Sequence, residues 1–180
     1  KDKHESMEVA LRIGLAYLTN GVVASPLEGF TKLELKKRKD DKEYFCLYFS
    51  GPIRSAGTTA VCAFVALADY VRHEMGYFEY DPTEIEIKRI VIEVMDYHER
   101  VTNLQYLPSE EELTFMVGRL PVQISGEPTE KWDVSNYKDI DRIETNRIRG
   151  GICLVFGEGL TQKAKKFWGI FSKWNKDFDM

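Results

Sequence analysis

Histidine and cysteine are scarce in this chain, three of each among 180 residues, and neither is grouped. His4, His73 and His98 are scattered and no Cys-x-x-Cys occurs, so the sequence offers no zinc ligand set. Cys46, Cys62 and Cys153 lie far apart inside apolar runs, the placement of buried thiols in a reducing compartment and not of a disulfide framework. Missing too is an unbroken apolar run of the ~20 residues that a membrane-spanning helix needs. No signal peptide is visible, so neither secretion nor a membrane contact is expected. A basic excess is also absent. With a formal net charge of −4, nucleic acid can be held only by a local patch against a mildly acidic background. Neither G-x-x-x-x-G-K-[ST] nor G-x-G-x-x-G occurs, which excludes a P-loop and a dinucleotide fingerprint.

What remains is an ordinary globular chain, 43% hydrophobic and 30% charged, long enough for one domain with a sizeable core. Its organising stretch runs from Glu43 to Gly76. E-Y-F-C-L-Y-F reads as a strand buried on at least one face. From Thr58 to Met75 the chain is almost continuously apolar, with Gly76 as a stop, which predicts a central helix surrounded by protein. Between them lies S-G-P-I-R-S-A-G, a strand-to-helix turn that can hold an anion on free helix-start amides, the Arg54 guanidinium and the hydroxyls of Ser55, Thr58 and Thr59. The plainer reading pairs Arg54 with a carboxylate of the same chain and lets Thr58 or Thr59 cap the helix.

In chain order, Ser6 to Asn20 predicts an amphipathic helix with Val9, Ile13, Ala16 and Tyr17 on its stripe. Val22 to Gly29 is a connector. Thr31 to Arg38 is a half-buried strand, joined by K-D-D-K to the Glu43–Phe49 strand, with Lys36 to Lys39 as its solvated edge. Asp81-Pro82-Thr83-Glu84 opens a second long helix with Asp81 at its N-cap; Ile87, Ile90, Val91, Val94, Tyr97, His98 and Val101 form its apolar stripe, and His98 is structural. Ser109 and Glu112 make a capping box for a short helix, and Pro121 to Gly126 is a short strand. Asp133, Asp139 and Asp141 fall in a polar loop. D-I-D spacing suits Mg²⁺, but Asp-rich turns are common and no nucleotidyl transfer is assigned to it.

Arg142, Arg147 and Arg149 surround Asn146 and Gly150-Gly151 just before the apolar run Ile152 to Phe156, which a helix is expected to continue through Leu160, Phe167, Phe171 and Trp174. Three arginines beside a helix start form a phosphate patch, or they pair with the surplus of acids; the spacing leaves both open. The aromatic stripe Trp168, Phe171, Trp174 reads as a docking surface. The expected architecture is α+β: a mainly helical layer with a small antiparallel sheet around the buried central helix.

S-G-P-I-R-S-A-G resembles the N-terminal region of the large subunit of archaeal family D DNA polymerase. Further matching stretches follow in order: G-V-V-A-S-P-L-E-G, L-Q-Y-L-P-S, P-V-Q-I-S-G-E-P-T-E and E-T-N-R-I-R-G-G, then E-G-L-T-Q-K-A-K-K, together covering nearly the whole chain. One departure is Thr58, where the family usually has a second glycine. The resemblance implies that residues 1–180 are a single N-terminal domain cut from a much larger subunit of a cytoplasmic, nucleoid-associated replicative enzyme. That enzyme would be a metal-dependent DNA-directed polymerase whose Mg²⁺-binding carboxylates lie in a later domain, paired with a small subunit bearing 3′–5′ exonuclease activity. For this piece no catalytic residue and no metal are expected: its role is to buttress the catalytic core, with Arg54, Ser55, Asn146, Arg147 and Arg149 as candidate contacts to DNA phosphates. A pure subunit-interaction module and a small anion- or nucleotide-binding enzyme are the alternatives.

Overall fold

The computed structural model describes residues 2–19 and 25–163. A helix α1 (Lys3–Leu18) and a short helix α2 (Ser25–Gly29) lead into the hairpin β1 (Phe30–Lys37) and β2 (Glu43–Phe49). A 3₁₀ turn (Gly51–Ala56) delivers the central helix α3 (Thr58–Glu74). Then come α4 (Glu84–Arg100), α5 (Glu110–Arg119), β3 (Gln123–Gly126) and, after a long irregular ribbon, α6 (Gly150–Leu154) running on into a π turn (Val155–Leu160). The α+β expectation holds, with one correction. The sheet, ordered β1-β2-β3, is mixed: β1 and β2 are antiparallel, but β3 lies parallel to β2. Three helices intervene between β2 and β3, so the chain returns in the direction it left, as a crossover does.

Alternation along β2 sorts its side chains to two faces. Phe45, Leu47 and Phe49 join the main core with α1, α3, α4 and α6, whereas Tyr44, Cys46 and Tyr48 form a smaller cluster with Tyr80 behind the sheet. The strand is thus covered on both sides. α3 is central as its composition predicts, and Gly76 ends it in the left-handed conformation with φ 77°. Its two buried charges answer each other, Arg72 donating to Asp69 at 2.7 Å. Burial still pushes the Asp69 carboxyl up, only partly offset by Arg72.

Two local expectations are corrected. α1 buries Met7, Leu11 and Leu15, whereas Val9, Ile13 and Tyr17 face outward, Tyr17 being 84% exposed. The helix offers two apolar rows; the inward one is chosen by its neighbours on the cylinder. Glu8 accepts a hydrogen bond from the Leu33 N–H, and Arg12 donates to the carbonyls of Phe30 and Thr31, so α1 occupies the free edge of β1 with side chains. Second, the N-cap of α4 is Thr83 and not Asp81, with Glu86 completing a reciprocal capping box. The helical assignment after α6 extends to residue 163; the aromatic stripe Phe167 to Trp174 lies outside the described residues.

Candidate functional site

The charged residues that matter most are on the side of α4 that its apolar stripe does not use. Glu86, Arg89, Glu93 and Asp96 recur at helical spacing and all are buried. Each fastens part of the ribbon between β3 and α6. Glu93 receives the Arg149 guanidinium through Nε at 3.0 Å and Nη2 at 2.8 Å, and also the Arg149 backbone N–H at 2.8 Å. Arg89 reaches the same carboxylate at 3.3 Å and donates to the carbonyls of Tyr137 and Thr145. Asp96 accepts from the Ser135 N–H at 2.6 Å. Glu86 pairs with Arg142, whose guanidinium also donates to the carbonyls of Tyr80 and Asp81 and lies over the Tyr44 and Tyr80 rings.

Electrostatics follow from these partners. Burial by itself would lower the hold of Arg149 on its proton, but the adjoining Glu93 carboxylate more than reverses this and the net shift is upward. For Glu86, burial pushes upward and the bonds from Arg142 and Thr83 outweigh it, leaving the carboxyl below its ordinary value of 4.5. The thiols of Cys46 and Cys62 are pushed up to about 12 by burial.

The residues singled out from the sequence therefore separate. Arg149 is 1% exposed and bonded on every side that its partners offer, so it has no surface to give a phosphate. Asn146 closes the ribbon on itself, its amide donating to Asp139 Oδ1 at 2.8 Å and accepting from the Asp139 N–H at 2.9 Å. Arg54 spans to Glu158 in the π turn at 2.7 Å, and Glu158 also accepts from the Gln105 N–H at 2.9 Å. The plainer pairing of Arg54 is thus the observed one, although its side chain stays 39% exposed. Ser55 donates to the Pro52 carbonyl at 2.8 Å. Neither Thr58 nor Thr59 caps α3: Gly57, at φ 77°, holds the N-cap and no side chain bonds there.

Arg147 differs from all of these. Its side chain has no ion pair, hydrogen bond or ring contact among the described residues, whereas every other arginine but Arg119 meets a carboxylate. Nor do the ribbon aspartates make a cation site. Asp133 is paired with Lys138 and Asp139 with Asn146, and among the described residues no three His, Cys, Asp or Glu converge on a point.

Sequence reasoning missed Glu86, Glu93 and Asp96. The available signal was an acidic row at helical spacing on α4, facing a downstream segment with three arginines.

These features define an α+β domain in which inward-turned arginine–carboxylate pairs fasten a long ribbon to a helix–sheet core. The model of the family described as "DNA polymerase II large subunit DP2, N-terminal" matches residues 1–177, and the chain belongs to that family. Proteins named DNA polymerase II large subunit are similar to it: 51% identical over 174 residues in Nanoarchaeum equitans, 47% over 175 in Methanosarcina barkeri and 43% over 176 in Thermoplasma acidophilum. Each alignment takes in 97–98% of this chain but only 14–16% of the relative, so the chain spans about one-seventh of their length. No helix among the described residues is long and apolar enough to cross a membrane.

Proposed function

We propose that this chain serves as the non-catalytic N-terminal domain of a replicative DNA polymerase's large subunit, bracing the catalytic core and meeting DNA phosphates through Arg147. The whole protein would extend DNA on a template, with Mg²⁺ held by residues outside this chain, beside a small subunit that supplies 3′–5′ exonuclease. It would work at the nucleoid in the cytoplasm. One observation carries the reading: Arg54, Arg142 and Arg149 brace elements far apart in sequence, and Arg147 alone of the five sequence-predicted contacts keeps a side chain without a partner among the described residues. Arg54 would add a weaker contact from its exposed edge, while Ser55, Asn146 and Arg149 would act by holding the turns in place.

The test is to incubate the isolated chain with primed template, deoxynucleotides and Mg²⁺, and separately to titrate it with duplex DNA across salt concentrations. No incorporation and no cleavage are expected, together with weak, salt-sensitive binding that Arg147→Ala reduces. Incorporation by the chain alone would sink the reading; a flat duplex titration at low salt would remove its DNA half. A second reading, a docking module without DNA contact, is favoured by the outward row Val9, Ile13, Tyr17 on α1.

A further inference from the structure

The ribbon from Glu127 to Arg147 is fastened more heavily than a surface loop requires. Its two arms bond to each other, the Ile148 N–H donating to the Trp132 carbonyl at 2.9 Å and the Val134 N–H to the Asn146 carbonyl at 2.8 Å. Arg100 holds the Asp133 carbonyl at 3.2 Å, in addition to the grip of Arg89 and Asp96 on the same segment. What this fixed backbone displays is Trp132, 46% exposed, with the Lys131 ammonium 4.8 Å from the centre of its ring. Asp133 and Arg147 stand opposite each other as an antiparallel bridge, so the unpaired guanidinium belongs to the same piece of ribbon. Two acids of this region are offset by cations, Asp133 by Lys138 at 3.3 Å and Asp96 by Arg100 at 3.6 Å. Holding a large indole half in water contributes little to folding. An aromatic ring on a fixed backbone, beside cations that meet no carboxylate among the described residues, is what an unstacked base between two phosphates requires.

We propose that Trp132, Lys131 and Arg147 form a stacking platform for single-stranded nucleic acid. An unpaired base lies on the indole, and its flanking phosphates meet Lys131 and Arg147. This rests on the reading that the domain touches nucleic acid and adds to it a single-stranded ligand and an aromatic contact. Stacking is tolerant of base identity because every base has a π face, so the platform reads no sequence. A duplex keeps its bases stacked and offers the site phosphates only.

Labelled oligo(dT) and a blunt duplex of equal length, each titrated against the intact chain at low and rising salt, test the proposal. Trp132→Ala is expected to weaken oligo(dT) binding about tenfold and leave duplex binding unchanged, while Trp132→Phe keeps most of the affinity. Lys131→Ala/Arg147→Ala should weaken both ligands and flatten the single-strand salt slope by about 1.4, near 0.7 for each lost phosphate contact. Unchanged oligo(dT) affinity in Trp132→Ala overturns the platform; if Arg147→Ala still weakens the duplex, the broader DNA contact survives it. Binding to neither ligand at low salt overturns both.

Discussion

Arg149 and Glu93, 56 residues apart in the chain, meet as a two-point pair at 3.0 and 2.8 Å with neither side chain more than 1% exposed. Arg89 shares the same carboxylate, so one anion holds two cations, and the carbonyls of Tyr137 and Thr145 take up the second guanidinium. A buried pair of this kind is costly to break from one side, because the survivor is left charged and unpaired. Glu93→Ala, which strands both guanidinium groups, should therefore lower unfolding free energy by about 3–5 kcal/mol in urea titrations, and Arg149→Ala, which leaves Arg89 on the carboxylate, should cost less. Replacing both residues by apolar side chains of similar volume should cost clearly less than the two single losses added together. Additive losses would mean that the pair is not the unit that matters.

Acid lability should trace in part to Glu86. Its carboxyl sits below 4.5 in the folded protein because of Arg142 and Thr83, and near 4.5 when unfolded. A depressed carboxyl stabilises the fold above the unfolded value, and that contribution disappears as pH falls through the folded one. Stability measured by denaturant between pH 5 and 3, a window set around that ordinary value of 4.5, should fall more steeply for the wild-type protein than for Glu86→Gln. Parallel curves would assign the acid sensitivity elsewhere.

The strands, the central helix and the Ser109–Glu112 capping box were readable because they depend on local pattern. Glu43–Phe49 appears with the bounds its composition suggests, and Ser109 caps α5 as expected. The face chosen by α1 was not readable. Val9, Ile13 and Tyr17 are as apolar as Met7, Leu11 and Leu15, and the choice is made by β1, whose unpaired edge Glu8 and Arg12 reach only from one orientation. The parallel pairing of β3 depends on how three helices stack, which no four-residue strand encodes. At the candidate site the sequence identified the arginines but not their partners; Arg147 and Arg149 are two residues apart, yet one is exposed and the other enclosed.

Two glycines in similar company should respond oppositely to alanine. A methyl group on Gly151 would run into the Phe49 carbonyl and the Ser50 nitrogen, both backbone atoms that cannot step aside. Gly51 has open space around the same position and no positive φ. Gly151→Ala should cost about 1–3 kcal/mol, as overpacking does, or more if α6 must move off the sheet. Gly51→Ala should be neutral or stabilise by about 0.4–1 kcal/mol through the unfolded chain. Thermal melts of the two variants side by side are sufficient to check the contrast.

Arg54 and Arg147 should separate a brace from a contact. Removing Arg54 leaves the buried Glu158 carboxylate with the Gln105 N–H as its remaining partner, so Arg54→Ala should destabilise the protein by about 1–3 kcal/mol, the cost of an under-satisfied buried acceptor. The Arg147 side chain holds nothing among the described residues, and Arg147→Ala should leave the melting temperature where it was, within about 0.5 kcal/mol. Binding should divide the other way: duplex affinity at low salt falls with Arg147→Ala, and its salt slope falls by about 0.9, one phosphate's worth. Arg54→Ala, measured well below its own melting temperature, should change that slope less. If Arg147→Ala instead unfolds the domain while its DNA affinity is untouched, the free guanidinium is a brace after all and the phosphate contact belongs to another residue.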